Sequence, residues 1–473
     1  MANDPSTAIP AVVDMQEDWV IVDALLGGTK AIRKAGTKFL PKWPKEEQDA
    51  YESRRDASTL LPAYSETVQN MTGRVFAEPI VLGETVPAQI KTYAENIDRQ
   101  GNNLQVWAQT LFSGGLGYGL CHVLVDYPQT AAPDGSTRLV TKADEIKAGV
   151  RPYTVIIRHS QVLGWKAKTA GGEHVLTQFR FMESVEEPDP ENEFLTKQVD
   201  QVRVLEPGLW FTYRKVKTEG GKEEWQEHER GTTTLDKIPL ATLYTKRTGF
   251  MTATPPLMEL AHLNIKHWQS QSDQDNILHV ARVPMLAVIG IEDESWEMKV
   301  GTSTATKLPR EGDMKWVEHT GKAIEAGRQS LQDLLDDMRI AGAKLLHKEK
   351  QATKTAAQAE EEAAQEMSPL ETMAGQLEDC LDQVLQLFAE WMKLPSGGNC
   401  QVNGNFDVDY APETTLPLLK GMVDARYLSQ QTLFGEVQRR GVLNGDLKWD
   451  DEREKIAEQG PGLGAIGRTN GNG

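Results

Sequence analysis

Cysteine is scarce in this chain: Cys121, Cys380 and Cys400 stand far apart among 473 residues. Nothing in their spacing resembles a metal site, and so few thiols fit a reducing compartment. Long apolar runs are missing too. None approaches the ~20 residues that cross a bilayer, so no membrane partner is expected. The opening MANDPSTAIP has no basic region followed by an apolar core, so no signal peptide is expected either. Catalytic signatures are equally thin. There is no G-x-x-x-x-G-K-[ST], no H-E-x-x-H, no G-x-S-x-G and no paired cysteine motif. An enzyme is therefore not expected, nor a cofactor, nor a bound metal. Positive charge is in deficit, with 69 Asp and Glu against 51 Lys and Arg and a net charge of −18. Such a surface repels free nucleic acid rather than gathering it.

What is present is helix and strand in a definite order, an α+β pattern. Helical spacing covers 12–26, 45–57, 60–74, 87–98 and 103–113, with Pro and Gly at the joints. In the second of these, Tyr51, Arg54 and Arg55 read as a helix surface packing on its neighbour. Gly114-Gly115-Leu116-Gly117-Tyr118-Gly119 precedes an apolar strand, 120–127. A dinucleotide fingerprint needs its glycines after a strand, so this run reads as a helix end packed tightly on a strand. Short alternating runs at 153–158, 162–166, 174–182, 199–205, 210–216 and 240–246 predict an antiparallel sheet. The acidic stretch 183–193 lacks the ligand spacing of a calcium loop and reads as a solvated loop.

Pro255-Pro256 opens a helix to about residue 280, apolar on one face at first and polar on every side from Gln269 to Asn276. A helix of that kind crosses solvent or lines a wet channel with its neighbours. Asp275 and His279, four apart on it, read as an ordinary surface pair. Strands at 284–291, 297–300 and 313–318 form an insert, and Leu331, Leu334, Leu335, Met338, Ala341 and Leu345 mark the helix that follows it. A second stripe runs through Leu370, Met373, Leu377, Leu381, Val384, Leu385, Phe388 and Trp391. Ser368-Pro369-Leu370-Glu371 ahead of it is a capping box with Pro at the first helical position. If helix continues through Ser368 and Pro369 from the Ala-, Glu- and Gln-rich stretch before them, it must kink there. Alternation at 401–410 predicts a strand joining the earlier sheet, 413–457 returns to helix, and 460–473 is Gly- and Asn-rich.

This order resembles the portal, or head–tail connector, proteins of tailed bacteriophages over nearly the whole chain. The phrases most similar to one portal subfamily are Tyr51-Glu52-Ser53-Arg54-Arg55, Val123-Leu124-Val125-Asp126-Tyr127-Pro128, Pro255-Pro256-Leu257 through Asn264, and His279-Val280-Ala281-Arg282-Val283-Pro284. The resemblance implies a ring, usually of twelve copies, at one capsid vertex of a virion assembled in the bacterial cytoplasm. It divides the chain into wing (1–256), stem helix (257–280), clip (281–327), stem helix (328–347), tunnel loop (348–356), wing again with the long kinked helix and return strand (357–410), and crown with tail (411–473). It implies double-stranded DNA passing through without sequence readout, a terminase large subunit and head-completion or adaptor proteins docking, and contacts with major capsid and scaffolding proteins. On that map Lys348, Lys350, Gln351, Thr353 and Lys354 would meet DNA in the tunnel loop, and Gln271, Asp273, Asp275, Asp336 and Asp337 would line the channel. The alternative is a non-portal virion structural or scaffolding protein.

Overall fold

Pro10 opens the first helix, where its fixed φ and missing N–H are harmless. Val12, Met15, Trp19 and Val22 make a buried stripe along this helix, α1 (Pro10–Leu26). The computed structural model describes residues 4–128, 149–217, 221–282, 285–289, 313–317, 322–346, 367–406, 412–439, 443 and 447–458. Next come α2 (Gly28–Ala35), α3 (Gln48–Ala57), α4 (Ala63–Val75), a two-residue strand β1 (Val81–Leu82), α5 (Ala88–Tyr93) and α6 (Leu104–Tyr118). α2 and β1 go beyond the sequence reading; Ile32 is the buried anchor of α2. Asn103 caps α6 by accepting from the Val106 N–H at 2.9 Å. The glycine run lies inside that helix and ends it. Gly119 adopts φ +90°, and a Cβ there would stand 2.6 Å from the Thr254 carbonyl carbon, so glycine alone lets the helix turn against this loop.

Two antiparallel sheets follow. β2 (Leu120–Asp126), β3 (Tyr153–Ile157) and β9 (Leu240–Tyr244) make a three-stranded sheet in the order β3-β2-β9. The central β2 is buried from Leu120 to Val125. The larger sheet is a meander of β4 (Val162–Ala170), β5 (Glu173–Pro188), β6 (Thr196–Glu206), β7 (Leu209–Lys217) and β8 (Glu223–Thr232). Here the sequence reading needs correction twice. Glu183 to Pro188 continue β5 rather than forming a loop, because cross-strand donors absorb their carboxylates. Gln201 donates to Glu183 at 2.6 Å, Gln198 to Glu186 at 2.7 Å and Arg214 to Glu187 at 2.6 Å. β8 has no apolar alternation at all and pairs through backbone bonds to β7 alone. A short hairpin, β10 (Arg247–Gly249) and β11 (Thr252–Ala253), leads onward.

α7 (Met258–Ala281) leaves this body of helices and sheets, called the wing below as a label of position only. β12 (Met285–Ile289) pairs antiparallel with β13 (Asp313–Val317), and α8 (Lys322–Ala343) returns beside α7 to make the hairpin labelled the stem in the same sense. The first half of α7 belongs to the main core through Leu257 just ahead of it, Leu260, Ala261, Ile265 and Trp268. α9 (Pro369–Trp391) carries the second stripe into the same core, burying Leu370, Met373, Leu377, Leu381, Val384, Leu385 and Phe388. Its end is pinned to β2: Trp391 Nε1 donates to the Val125 carbonyl at 2.8 Å and stacks on Tyr127. The return strand is shorter than predicted and joins neither large sheet. β14 (Cys400–Gln401) pairs with β1, after which the Val402 N–H goes to Glu378 at 2.6 Å and the Asn405 N–H to the Arg74 carbonyl at 2.8 Å. Residues 407–410 of that prediction lie outside the described residues. Three helices, α10 (Pro412–Asp424), α11 (Gln430–Arg439) and α12 (Trp449–Glu458), are the last among the described residues.

Candidate functional site

The stem hairpin of α7 and α8 holds the residues singled out as channel-lining. Three contacts fix its antiparallel register. Lys344 pairs with Glu259 near the wing, Gly342 lies beside Leu260, and Gln274 Nε2 donates to the Ile324 carbonyl at 2.9 Å further out. The polar half of α7 is therefore only partly solvated, in contrast to the all-round polar reading. Ser272 and Gln274 are buried, and α8 approaches so closely that a Cβ on Gly327 would stand 2.0 Å from Gln274 Oε1.

The five stem residues do not share one face. Gln271 donates to Asp275 at 2.7 Å along the helix surface. Asp273 lies two positions from each, which at about 100° per residue turns it nearly to the opposite side. There it faces Arg54, 3.6 Å from the guanidinium. On α8, Asp336 is exposed and paired with Arg339 at 2.9 Å, one turn on, and Asp337 is exposed beside it. Such i,i+3 pairs at the surface contribute a few tenths of a kcal/mol; their carboxylates remain a feature of the surface field.

Arg54 is the residue that sequence reasoning undervalued. Its side chain is 3% exposed and forms two bonds to the equally buried Glu46, at 2.8 and 2.9 Å, and a third to the Pro41 carbonyl at 3.0 Å. The Trp43 ring lies 4.1 Å from the guanidinium carbon. Arg54 holds the Glu46 carboxyl below the usual carboxylate range. Asp273 shows the opposite balance: burial, with Glu46 adding to it, raises its carboxyl although Arg54 pulls the other way. Beside this cluster Gln269 donates to the Phe39 carbonyl at 2.6 Å, and Trp268 Nε1 to Ser58 at 3.1 Å. The whole arrangement rivets α7 to the N-terminal helices. The sequence marked Arg54 only as part of the Tyr51-Glu52-Ser53-Arg54-Arg55 phrase and of a helix surface packing on its neighbour; nothing local pointed to Glu46, Trp43 or Asp273 as its partners.

Ser368 and Pro369 do what their spacing predicts. Ser368 Oγ accepts from the Glu371 N–H at 3.2 Å, and Glu371 accepts in return from the Ser368 N–H at 3.3 Å. The segment before Met367 lies outside the described residues, and with it the kink. Lys348, Lys350, Gln351, Thr353 and Lys354 lie outside them as well. Elsewhere Asp126 joins the two large sheets by accepting from Arg203 at 2.8 Å and Tyr153 at 3.3 Å. His122 is fully buried, held to Thr242 at 2.9 Å, and burial lowers it to about 3. Among the described residues no group of three His, Cys, Asp or Glu side chains could hold a metal ion, and no helix is long and apolar enough to cross a membrane.

Residues 256–392, under a third of the chain, match the model of a domain of unknown function, DUF4055. That match starts at the base of α7 and ends with α9. No curated protein sequence matches. Among solved structures the chain is similar to one from the virion of a native gene transfer agent particle, with 12% identity over 85% of this chain and 96% of the other and a TM-score of 0.39. It is similar also to one from the neck of an empty gene transfer agent particle computed with C6 symmetry, with 11% identity over 88% and 96% and a TM-score of 0.40. A third likeness, to the neck of the native particle computed with C12 symmetry, has 12% identity over 85% and 96% and a TM-score of 0.37.

Proposed function

We propose that the chain is a portal-type subunit, forming a ring of about a dozen copies that conducts double-stranded DNA without chemistry of its own. The observation that carries this reading is the stem hairpin. Two antiparallel helices leave a packed wing, end in a two-stranded β pair, and return to the same core. Their outward faces keep Asp275, Asp336 and Asp337 exposed. A hairpin built this way gains nothing more from its own chain; repeated around an axis, it makes a wall.

The physics of a conduit favours such a wall. Contacts that grip phosphates would arrest a moving duplex, whereas carboxylates in a confined bore repel it more strongly than in bulk water. The lysines of the proposed tunnel loop, Lys348, Lys350 and Lys354, then supply brief backbone contacts with no base readout. The β12–β13 pair at the hairpin's tip is the docking point for a terminase motor and later for head-completion proteins, and the virion vertex is the site of action. Negative-stain images and native mass of the purified protein test the proposal. Closed rings with an axial hole are expected; a monomer at every concentration, or a rod, overturns it and leaves the scaffolding alternative.

A further inference from the structure

Two features of the five-stranded sheet have no use within one copy of the chain. The first is the tip that joins β5 to β6. Phe194 is 87% exposed and Leu195 54%, yet the tip is ordered. The Glu191 N–H donates to the Asp189 carboxylate at 2.8 Å, the Phe194 N–H to the Asn192 side chain at 3.0 Å, and the Asp189 N–H to the Leu195 carbonyl at 3.0 Å. Asx-type turns thus fix two large apolar side chains in water, flanked by Glu191 and Glu193.

The second is a cavity of about 490 Å³ at the opposite end of the same strand, between the start of β5, the β9–β11 segment and α9. Leu176, Tyr244, Phe250 and Met251 give it apolar walls, and His174 and Arg247 stand among them. Gln376, on the α9 side, keeps its Oε1 buried with no hydrogen-bond partner. An unpaired buried acceptor is costly and marks a place where a donor is missing. From Leu176 to Pro188 the strand advances roughly 40 Å at about 3.3 Å per residue, so the tip cannot reach the cavity of its own chain.

We infer that the Phe194–Leu195 tip of one copy seats in this cavity of the next copy. The tip brings apolar side chains to the apolar walls, carboxylates to Arg247 and His174, and backbone N–H groups within reach of the unpaired Gln376 oxygen. Asp379 is the one carboxylate of the lining, so the acidic flank of the tip faces the β9–β11 side. Two different surfaces meet in this contact, and repeating it head to tail closes a ring when the rotation per step divides the circle. The inference rests on the ring reading for the closure, though not for the contact itself.

Full-length protein tests it. Phe194→Asp with Leu195→Asp alters only exposed positions, so the variant keeps its thermal midpoint while the concentration needed for assembly rises by roughly tenfold or more. Arg247→Glu weakens assembly in the same direction, and adding Glu193→Arg to it restores part of the loss. Because Cys380 itself lines the cavity, it is first replaced by Ala, leaving only the buried Cys121 and Cys400. In that background Leu195→Cys with Gln383→Cys reports the contact directly, and mild oxidation yields a ladder of disulfide-linked copies. Rings that form normally in the double Asp variant, with no ladder from the cysteine pair, overturn the inference and leave the ring standing. A ladder from protein that never closes into rings keeps the contact and overturns the ring.

Discussion

The wing and the stem solve the problem of holding helices together in different ways. In the wing, α6 and α9 present continuous apolar stripes, and Phe112, Leu116, Leu377 and Val384 reach complete burial around β2. Such packing derives its strength from area removed from water, about 25 cal/mol per Å². The outer stem has little of this. Beyond Trp268, α7 meets its partner through Gln274 and a glycine, while Ile277 on α7 stays exposed; nearer the wing, Ile340 on α8 is exposed as well. One region is finished as a monomer, and the other leaves faces unspent. A difference of this kind is expected where the wing must fold alone and the stem has neighbours still to meet.

The sharpest test of that contrast lies at the joint. Arg54→Ala would leave Glu46 buried without its counter-charge, and removing one partner of a buried pair costs about 3–5 kcal/mol. Urea denaturation of the variant is expected to show that loss. Replacing both partners, as Arg54→Met with Glu46→Leu, is expected to recover most of it, because the cost belongs to the orphaned charge rather than to the pair. If the single variant unfolds at the parent's urea concentration, the Arg54–Glu46 pair contributes nothing to holding this cluster together.

Much of this division was legible beforehand. The stripe from Leu370 to Trp391, the Ser368 capping box and the Pro255-Pro256 start of the stem are strong local signals, and each depends on residues within two turns of one another. β2 is a continuous apolar run, and the runs of β3 to β7 alternate as sheet strands do. What escaped notice was fixed by distant partners. β8 has a single apolar anchor, Trp225, and otherwise exists because β7 offers an edge. Arg54 reads as surface until Glu46 and Trp43 fold over it. Of the five stem positions, Asp273 alone turns toward Arg54, a consequence of helix phase set by Trp268 and Gln269 packing inward. The Phe194–Leu195 tip was hidden for the reverse reason: its acidic surroundings imitate a solvated loop, and the β5–β6 pairing through Val185 and Val199 is cross-strand.

A second experiment confines acid sensitivity to the wing. His122 is neutral in the fold because burial lowers it to about 3, whereas an unfolded histidine has its ordinary value near 6.5. Between those values the unfolded chain binds the extra proton, so stability is full above about pH 6.5 and falls as the pH drops toward 3. The loss attributable to this one group should reach roughly 2–3 kcal/mol by pH 4.5. Denaturation midpoints followed from pH 7 to pH 4.5 should show it, and His122→Gln should flatten that limb. An unchanged slope in the variant would mean that the carboxylates carry the acid response instead.

The smallest effect separates two glycines. Gly119→Ala in the wing forces a side chain into φ +90° and against the Thr254 backbone, neither of which can yield cheaply, so a loss of at least about 1–2 kcal/mol is expected. Gly327→Ala in the stem meets only the side-chain amide of Gln274, the far end of a flexible side chain. Swinging that amide aside forfeits its bond to the Ile324 carbonyl, about 1 kcal/mol, while alanine returns nearly as much in helix propensity. The two should cancel to within about 0.5 kcal/mol. Adding Gln274→Ala removes the obstruction in advance, so in that background Gly327→Ala should stabilise by close to 1 kcal/mol. Thermal midpoints of the four combinations give the coupling directly. If Gly327→Ala is as damaging as Gly119→Ala, the outer stem is packed as tightly as the wing, and its exposed faces need no partner to explain them.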